Sequence, residues 1–288
     1  MICHWHEITS LRTGLGQVAV IEAGTAEEVD AVMRDGAMAP RILGFGTNVL
    51  GADQPCGFTL LRVKRDQAPL VPEGTRLRLG AGNSLAASIF QAARIGLGGM
   101  AALSGIPGSI GGAVAMNAGA NGMAIGEVVE DIEGYDMARR CPWHWRREDG
   151  GFAYRQSPVP PEVVVLRVGL RLRQCLPQME QSSIDSERLR RLRANPQGPS
   201  AGSVFRNPPD APAAGWLLEQ AGCKGLRCGN LVVSSRHANW ILNVSGKPAA
   251  ARDAWELIEQ MRSRVKKMYG IALGLEWRTF LPAEPPRS

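Results

Sequence analysis

The sequence predicts an α/β protein made of two domains. Its 288 residues exceed the ~100–200 residues of a typical domain, and helix-like and strand-like segments alternate along the chain. A polar, basic stretch, Gln174–Pro199, divides these segments into two series. Hydrophobic residues make up 44% of the chain and charged residues 21%, as in ordinary globular proteins. We therefore expect a hydrophobic core in each domain.

The first predicted helix follows a capping box at Thr25–Glu28 and ends at Gly36. A strand at Arg41–Leu43 then leads into Gly44–Asn48, a turn of small residues that suits a phosphate contact.

The next strand, Leu77–Leu79, enters the turn Gly80–Ser84 and a helix that stops near Gly96. This order mimics a dinucleotide-binding fingerprint. Leu85 stands where the third glycine belongs, however, and no acidic residue about 20 positions further on completes a βαβ unit. The pattern therefore argues against a Rossmann site.

A glycine-rich stretch, Leu103–Gly122, stands at the centre of the chain. Its six glycines and one proline disfavour a helix, by about 1 kcal/mol per interior glycine and about 3 kcal/mol for the proline. We therefore predict exposed backbone. Such backbone suits a diphosphate or the edge of a flavin, and it also suits a set of ligand-free turns.

The elements that follow have clearer signals. Strands are predicted at Glu127–Asp136 and Val163–Leu172 from their β-branched residues, and Gln174–Pro199 is the predicted connector. The second domain is predicted to contain helices at Ala213–Ala221 and Arg252–Tyr269 and strands at Leu231–Val233, Trp240–Val244 and Ile271–Leu281. The helix Arg252–Tyr269 has Ala254, Ile258, Met261, Val265 and Met268 on one face and Gly270 as its cap.

Composition narrows the possible partners. A net charge of +6 favours anionic ligands, but the basic run Arg188–Arg193 has no neighbouring aromatic residues to stack on bases. We expect no nucleic-acid partner. No segment approaches the ~18 apolar residues of a membrane span, and Met1–Glu7 lacks the apolar core of a signal peptide. The six scattered cysteines fit a reducing compartment. We expect a cytoplasmic protein without membrane insertion or a metal site.

Five motifs then occur together and in order: Ser104–Ala120, Tyr154–Ser157, Pro199–Pro208, Ala214–Gly222 and Ser235–Asn239. Together they resemble the UDP-N-acetylenolpyruvoylglucosamine reductase (MurB) family of peptidoglycan synthesis. The resemblance extends from Ile42 to about Pro282.

The resemblance implies a fold and a set of boundaries. We expect an FAD-binding domain of the vanillyl-alcohol-oxidase (PCMH) type at residues 1–173, made of subdomains at about 1–68 and 69–173. A connector at 174–199 and an α/β substrate-binding domain at 200–288 would follow. Only 48 positions separate Arg155 from Ser203, so the chain resembles the shorter subclass that lacks a tyrosine-bearing lid. We expect a monomer.

The resemblance also implies a reaction and its residues. Family members use NADPH to reduce FAD and then reduce the enol ether of a UDP-sugar. Arg155 matches the arginine beside the substrate carboxylate, Ser203 the proton donor and Glu276 the glutamate of the last strand. The implied FAD-binding residues are Gly44, Gly46, Thr47, Asn48, Ser104, Gly105, Gly108, Ser109, Gly111, Gly112 and Ala113. Arg206, Asn207 and Arg278 are expected to bind the substrate.

Alternation along the last predicted strand supports part of this assignment. Glu276 and Arg278 share one face, whereas Leu273, Leu275 and Trp277 occupy the other. A solvent-facing charged pair at a sheet edge is the alternative. Two other functions stay open from sequence: another FAD-dependent oxidoreductase of the same superfamily, and a basic, non-catalytic binding protein on this scaffold.

Overall fold

The computed structural model describes residues 1–35 and 39–280. The chain divides into two compact units, each assembled from separate stretches. Unit 1 contains Met1–Ala19, Phe45–Gly57 and Ala194–Ser288, of which the structure describes the part up to residue 280. Unit 2 contains Val20–Gly44 and Phe58–Arg193. The domain boundaries expected at residues 68, 173 and 199 stay a prediction.

Both units contain helices and strands. The helices are α1 (Trp5–Ile8), α2 (Ala26–Asp35), α3 (Leu85–Arg94), α4 (Ile110–Ala115), α5 (Pro177–Ala194), α6 (Ala214–Gln220) and α7 (Ala251–Tyr269). The strands are β1 (Ile2–His4), β2 (Gln17–Ala23), β3 (Arg41–Ile42), β4 (Val49–Leu50), β5 (Thr59–Val63), β6 (Arg76–Gly80), β7 (Leu97–Gly98), β8 (Gly119–Ala120), β9 (Met123–Ala124), β10 (Val129–Asp136), β11 (Cys141–Arg146), β12 (Val163–Arg171), β13 (Arg173–Gln174), β14 (Arg227–Cys228), β15 (Leu231–Val233), β16 (Ile241–Asn243) and β17 (Arg278–Thr279).

Unit 2 is built on an antiparallel sheet with the order β11-β10-β12-β6. Hydrophobic side chains cover both faces of this sheet. On one face, Ile132 and Val168 join a core that includes residues of α3 and α4. On the other face, Tyr135 and Val164 pack with Val29 of α2. Because β12 is covered on both faces, its apolar residues run almost without interruption, which is why the sequence identifies it as a strand.

The predicted capping box of α2 is present in a shifted form. Thr25 Oγ1 accepts the N–H of Glu28 at 3.2 Å, as predicted. The Glu28 carboxylate accepts the N–H of Gly24 at 2.6 Å and binds Lys64, so it also connects the helix to the residue that follows β5. The helix is confirmed, whereas its predicted end at Gly36 lies outside the described residues.

Unit 1 has its core around α7. Leu257 and Met261 of α7 pack with Leu217 of α6 and with Val233 of the antiparallel sheet β14-β15-β16. The predicted C-cap is confirmed, because Gly270 has a φ of +71° and donates its N–H to the carbonyl of Lys266 at 2.9 Å. Four members of the predicted apolar face are buried, but Met268 is 57% exposed, so its assignment to that face was wrong.

Two predicted elements were wrong. The glycine-rich stretch does contain a short helix, α4, because Ser109 caps the N–H of Gly112 at 3.2 Å and Ile110 and Val114 are buried in the core. Glycine disfavours a helix but does not forbid one, and here tertiary packing decides. Within the described part of Ile271–Leu281, only Arg278–Thr279 forms a strand, through parallel pairing with β4.

The predicted connector is largely helical, since α5 covers residues 177–194. The helix packs on unit 2 through Ile184, which is fully buried, and Glu180, which is 3% exposed. Strands β2, β5 and β11 carried no sequence prediction; β11 is mostly exposed and lacks an apolar alternation.

Candidate active site

The segment that carries Ser203 lies between two other segments of unit 1. On one side, Ser203 forms a bridge with Trp240, and Val204 donates its N–H to the carbonyl of Asn239 at 2.9 Å. On the other side, Phe205 forms a bridge with Leu275. The neighbouring N–H groups of Arg206 and Glu276 donate to Gly274 and Val204 at 2.9 and 2.8 Å. Backbone pairing on both sides therefore fixes the position of Ser203.

Asn239 reinforces this arrangement through its side chain. Its Oδ1 accepts the N–H of Phe205 at 2.9 Å, and its Nδ2 donates to the Phe205 carbonyl at 2.8 Å. Asn239 is 3% exposed. The buried side-chain amide of Asn239 thus bonds both the backbone N–H and the backbone carbonyl of Phe205. These two hydrogen bonds hold the backbone of Phe205 in a single position. Asn239 is the last residue of the motif Ser235–Asn239, and this contact gives it a structural role.

His237 supports Asn239 in turn. The N–H of Asn239 donates to His237 Nδ1 at 3.2 Å, so this nitrogen has to be unprotonated. Burial lowers the pKa of His237, which favours the neutral ring. The ring packs closely against Gly215, where a Cβ would lie 2.7 Å from it. His237 thus supports the segment Asn239–Trp240 that pairs with the chain around Ser203.

The chain around Glu276 is hydrogen-bonded to Gly44–Asn48, which we call the first glycine turn. Asn48 Nδ2 donates to the Glu276 carbonyl at 3.1 Å, and Arg278 donates its N–H to the Asn48 carbonyl at 3.0 Å. Trp277 is buried, Glu276 is half-buried and Arg278 is exposed, so the predicted alternation of faces holds although the strand is short. Unit 1 therefore brings Asn48, Ser203, Glu276 and Arg278 into neighbouring segments.

The two predicted substrate residues that follow Ser203 are exposed and differ in their contacts. The guanidinium of Arg206 lies over Gly274, where a Cβ would be 3.6 Å from Nη2. Asn207 Oδ1 accepts the N–H of Ala214 at 3.0 Å, at the start of α6. This amide therefore supports the first turn of α6, in addition to any contact it makes with a ligand.

In unit 2, the end of β3 approaches the N-terminus of α4 closely. A Cβ on Gly44 would lie 2.9 Å from Ser109 Oγ and 3.7 Å from the Cα of Gly112. Ala81 accepts the N–H of Gly111 at 2.8 Å, which holds the turn before α3 beside this point. Only small residues fit here, and they leave a narrow cradle bordered by backbone.

The glycine-rich stretch Leu103–Gly122 contains a buried hydroxyl, that of Ser104, whose hydrogen-bonding capacity is unused within the described part of the chain. Its hydroxyl is buried, with the residue 3% exposed, and it has no hydrogen-bond partner among the described residues. A buried hydroxyl without a partner is costly, so it indicates a group that a ligand completes. The cradle and this hydroxyl both fit a bound cofactor at the residues predicted for FAD.

The first glycine turn passes from one unit to the other. Gly44 belongs to unit 2, whereas Gly46, Thr47 and Asn48 belong to unit 1. Gly46 has a φ of +68°, and a Cβ there would lie 2.0 Å from the carbonyl oxygen of Ile8. This glycine is therefore required by packing against the last residue of α1, whatever the turn binds.

Arg155 occupies the tip of a tight turn in unit 2. Ala153 and Gln156 exchange backbone hydrogen bonds of 2.9 and 3.2 Å, which leaves Tyr154 and Arg155 as the central residues. Arg155 has a φ of +54° and its Nη1 donates to the Gly119 carbonyl at 3.4 Å. Asn117 fixes this turn, because its Nδ2 donates to the Ala153 carbonyl at 2.7 Å. Nothing in the pattern around Tyr154–Ser157 indicated this anchor.

Comparison with known proteins defines the class first. Residues 18–139 match the model of an FAD binding domain, and residues 194–280 match the model of the UDP-N-acetylenolpyruvoylglucosamine reductase C-terminal domain. The chain is therefore an FAD-dependent oxidoreductase. A UDP-N-acetylenolpyruvoylglucosamine reductase of Symbiobacterium thermophilum is 35% identical over 93% of this chain and 87% of the relative. The one of Thermus thermophilus is 34% identical over 93% and 96%. This chain belongs to the UDP-N-acetylenolpyruvoylglucosamine reductase (MurB) family.

A solved structure agrees. The crystal structure of UDP-N-acetylenolpyruvylglucosamine reductase from Thermus caldophilus has a TM-score of 0.83 to this chain, with 31% identity, and covers 98% of each chain. The predicted family and the predicted α/β fold, with an FAD-binding domain followed by a C-terminal domain of this family, are confirmed. The roles of individual residues stay predictions. Within the described residues, no helix has the length and apolar character to cross a bilayer, and no cluster of metal-ligating side chains occurs.

Proposed function

We propose that this protein catalyses the NADPH-dependent reduction of UDP-N-acetylenolpyruvoylglucosamine to UDP-N-acetylmuramate. Bound FAD supplies the hydride-transfer chemistry between the two reactants. The observation that carries the proposal is the fixed position of Ser203, whose segment is paired on both sides and lies against the one that carries Glu276. A serine whose backbone is held in one position suits delivery of a proton to a carbon.

The reduction adds a hydride to the terminal carbon of the enol ether and a proton to the adjacent carbon. Negative charge develops on the conjugated carboxylate between these additions. We assign its stabilisation to Arg155, because a positioned guanidinium can match a carboxylate with two hydrogen bonds. We assign the proton to the Ser203 hydroxyl. A serine is a weak acid, but the carbanion-like intermediate is a strong base.

Further residues are proposed for binding. Gly44, Ser104 and the residues Gly108–Ala113 at the start of α4 would hold FAD, in keeping with the cradle and the buried Ser104 hydroxyl. Arg206 and Arg278 would bind the diphosphate of the UDP-sugar, since both are exposed arginines on the segments around Ser203 and Glu276. We also propose that the protein acts as a monomer in the cytoplasm, as the sequence predicts.

Stepwise reconstitution tests the function. The purified protein is incubated with FAD, freed of unbound cofactor and examined for flavin absorbance. NADPH is then added without oxygen, followed by the UDP-sugar. We expect a bound flavin, loss of its absorbance with NADPH and recovery with UDP-N-acetylenolpyruvoylglucosamine. Bound flavin that is reduced by NADPH but not reoxidised by this substrate would point to another oxidoreductase of the superfamily. A protein that binds no FAD would contradict every flavin-dependent function.

A further inference from the structure

Helix α5 presents a half-buried arginine, Arg191, to the body of unit 2. The residues on its inner face recur at helical spacing: Glu180 accepts the N–H of Gly99 at 2.9 Å, Ile184 is buried and the Arg188 guanidinium lies 5.2 Å from the Phe90 ring centre. Arg191 comes next on this face and is half-buried, whereas Arg193 is exposed. The basic run Arg188–Arg193 therefore has two members on the inner face, of which Arg191 is the half-buried one.

The stem of Arg191 lies on the glycine-rich stretch. A Cβ added to Gly105 would be 2.4 Å from Arg191 Cδ, so only a glycine leaves room for this side chain. Gly105 directly follows Ser104, whose buried hydroxyl has no partner among the described residues. The side chain of Arg191 thus lies against the residue that follows Ser104, in a stretch that already indicates a ligand.

Two of the charges that act on Arg191 have the same sign as its own. Arg155 and Arg190 repel it, and these neighbours and above all burial lower the pKa of its guanidinium. Arg190 has its own partner in Glu187, at 3.0 Å. Within the described residues of unit 2, Arg191 forms no ion pair with a carboxylate. A partly buried cation that is repelled by other cations and forms no ion pair of its own is unfavourable until an anion binds.

We propose that Arg191 and Arg155 together bind an oxyanion, a carboxylate or phosphate group, of a reactant of the proposed reaction. Arg191 is then a further ligand-binding residue, contributed by the helix that precedes Ser203. The inference rests on the proposed function for the identity of the reactant, but the anion site itself rests on the contacts of unit 2. FAD, NADPH and the UDP-sugar all carry phosphate, and the UDP-sugar also carries the carboxylate.

The anion site is tested on the protein without cofactor. Thermal unfolding is followed at constant ionic strength with and without inorganic pyrophosphate, and separately with malonate as a carboxylate. We expect pyrophosphate or malonate to raise the Tm by about 3 °C, because an anion that binds only the folded state stabilises it. Arg191→Gln should lose this rise. Arg193→Gln, which removes the same charge from the exposed side of the last turn, should retain it.

Three results would overturn the proposal: no rise of Tm in the unmodified protein with either anion, an equal rise in Arg191→Gln, or an equal loss in both glutamine variants. Arg191→Lys keeps the charge and the stem over Gly105, so it tests the proposal if Arg191→Gln does not fold. Lysine lacks the planar fork of arginine, and we expect the anion concentration for half the effect to increase about fivefold. An unchanged concentration in Arg191→Lys would also overturn the proposal.

The source of the oxyanion is identified with the same variants. Arg191→Gln should raise the apparent Kd for FAD, the NADPH concentration needed for flavin reduction, or the KM for the UDP-sugar, with a smaller change in kcat. The parameter that changes identifies the reactant, and three unchanged parameters would exclude Arg191 from the site. If the unmodified protein binds pyrophosphate through Arg191 but fails to reduce the UDP-sugar, the proposed function fails while the anion site stands.

Discussion

Arg155 has a backbone conformation that arginine rarely adopts. Its φ of +54° lies in the left-handed region, and such residues store about 1–3 kcal/mol of strain that the surrounding structure has to offset. The hydrogen bonds of Ala153 with Gln156 and with Asn117 provide that support. A strained residue at the tip of a fixed turn suits a side chain that has to be presented at one position.

Replacement of Arg155 by asparagine removes the guanidinium but keeps the left-handed backbone conformation. Asparagine tolerates the left-handed conformation, so Arg155→Asn should keep its Tm within about 3 °C of the unmodified protein. Without the guanidinium, kcat/KM for the UDP-sugar should fall about 10²–10³-fold. Arg12, which is exposed and has a φ of +56°, gives the matched control. Steady-state kinetics that show the same kcat/KM in Arg155→Asn and Arg12→Asn would remove Arg155 from the site.

Ser203 should matter in only one of the two half-reactions. In Ser203→Ala, NADPH should still reduce the flavin at a near-normal rate, because that step needs no proton from this serine. Reoxidation by the UDP-sugar should slow by about 10²–10⁴-fold, as for a lost general acid. Stopped-flow absorbance resolves the two phases.

A second serine provides the control for this variant. Ser200 lies in the same turn and accepts the N–H of Gly202 at 3.1 Å, so Ser200→Ala tests local disturbance without removing the proposed acid. Equal slowing of both phases in Ser203→Ala would mean that Ser203 shapes the flavin site. An unaffected second phase would make Glu276 the next candidate for the acid.

At the scale of elements, the segments around Ser203 depend on a neutral histidine. The pKa of His237 is lower in the folded protein than in the unfolded chain, because burial disfavours the charged ring. The unfolded chain therefore binds more protons at mildly acidic pH. The stabilisation is complete above about pH 6.5, the ordinary pKa of histidine, and is lost as the pH falls through the lower folded-state value.

Urea unfolding at about pH 7.5 and about pH 5.5 checks this dependence. We expect the unmodified protein to unfold at lower urea concentration at the acidic pH. In His237→Asn, which cannot titrate in this range, the difference between the two pH values should be smaller. The other histidines are present in both proteins, so their contributions cancel. The same pH dependence in both would show that His237 does not titrate on unfolding.

A substitution at the N-terminus of α4 should weaken FAD binding without lowering the stability of the folded protein. A Cβ on Gly112 would meet only Ser109 Oγ, at 3.2 Å, and alanine favours a helix over glycine by about 1 kcal/mol. Gly112→Ala should therefore leave the stability of the cofactor-free protein unchanged or slightly raised. Its FAD affinity should fall roughly tenfold, because the methyl group occupies the cradle.

Fluorescence titration with FAD measures this effect. Gly57→Ala serves as the control, since a Cβ at Gly57 has no neighbour within 4 Å. If Gly112→Ala and Gly57→Ala bind FAD as tightly as the unmodified protein, the cradle beside Gly44 does not hold the cofactor. Gly46 is a poorer test, because its Cβ would collide with Ile8 and disturb the fold itself.

At the scale of the whole molecule, the net charge of +6 should speed the capture of anionic reactants. An increase of NaCl from about 0.01 M to about 0.15 M shortens the Debye length from about 30 Å to about 8 Å. We expect kcat/KM for the UDP-sugar to fall several-fold over this range while kcat changes little. Initial-rate kinetics at the two salt concentrations test this, and a constant kcat/KM would mean that long-range charge plays no part in capture.

The sequence alone determined the elements whose signals are local. The capped helices α2, α3 and α7 were predicted because a cap and an apolar stripe lie within one short segment. The family was also determined, because five motifs in fixed order depend on residue identity and need no coordinates.

Only the tertiary structure decided how distant segments meet. Asn48 binds the Glu276 carbonyl across 228 positions, and Asn239 holds Phe205 across 34, so no local pattern contains either contact. The same reason explains the two wrong elements: packing of Ile110 stabilises a glycine-rich helix, and β4 pairs with only two residues of the last predicted strand. The inward position of Arg191 likewise depends on which face of α5 meets Gly105, and a polar helix carries no apolar stripe to indicate that face.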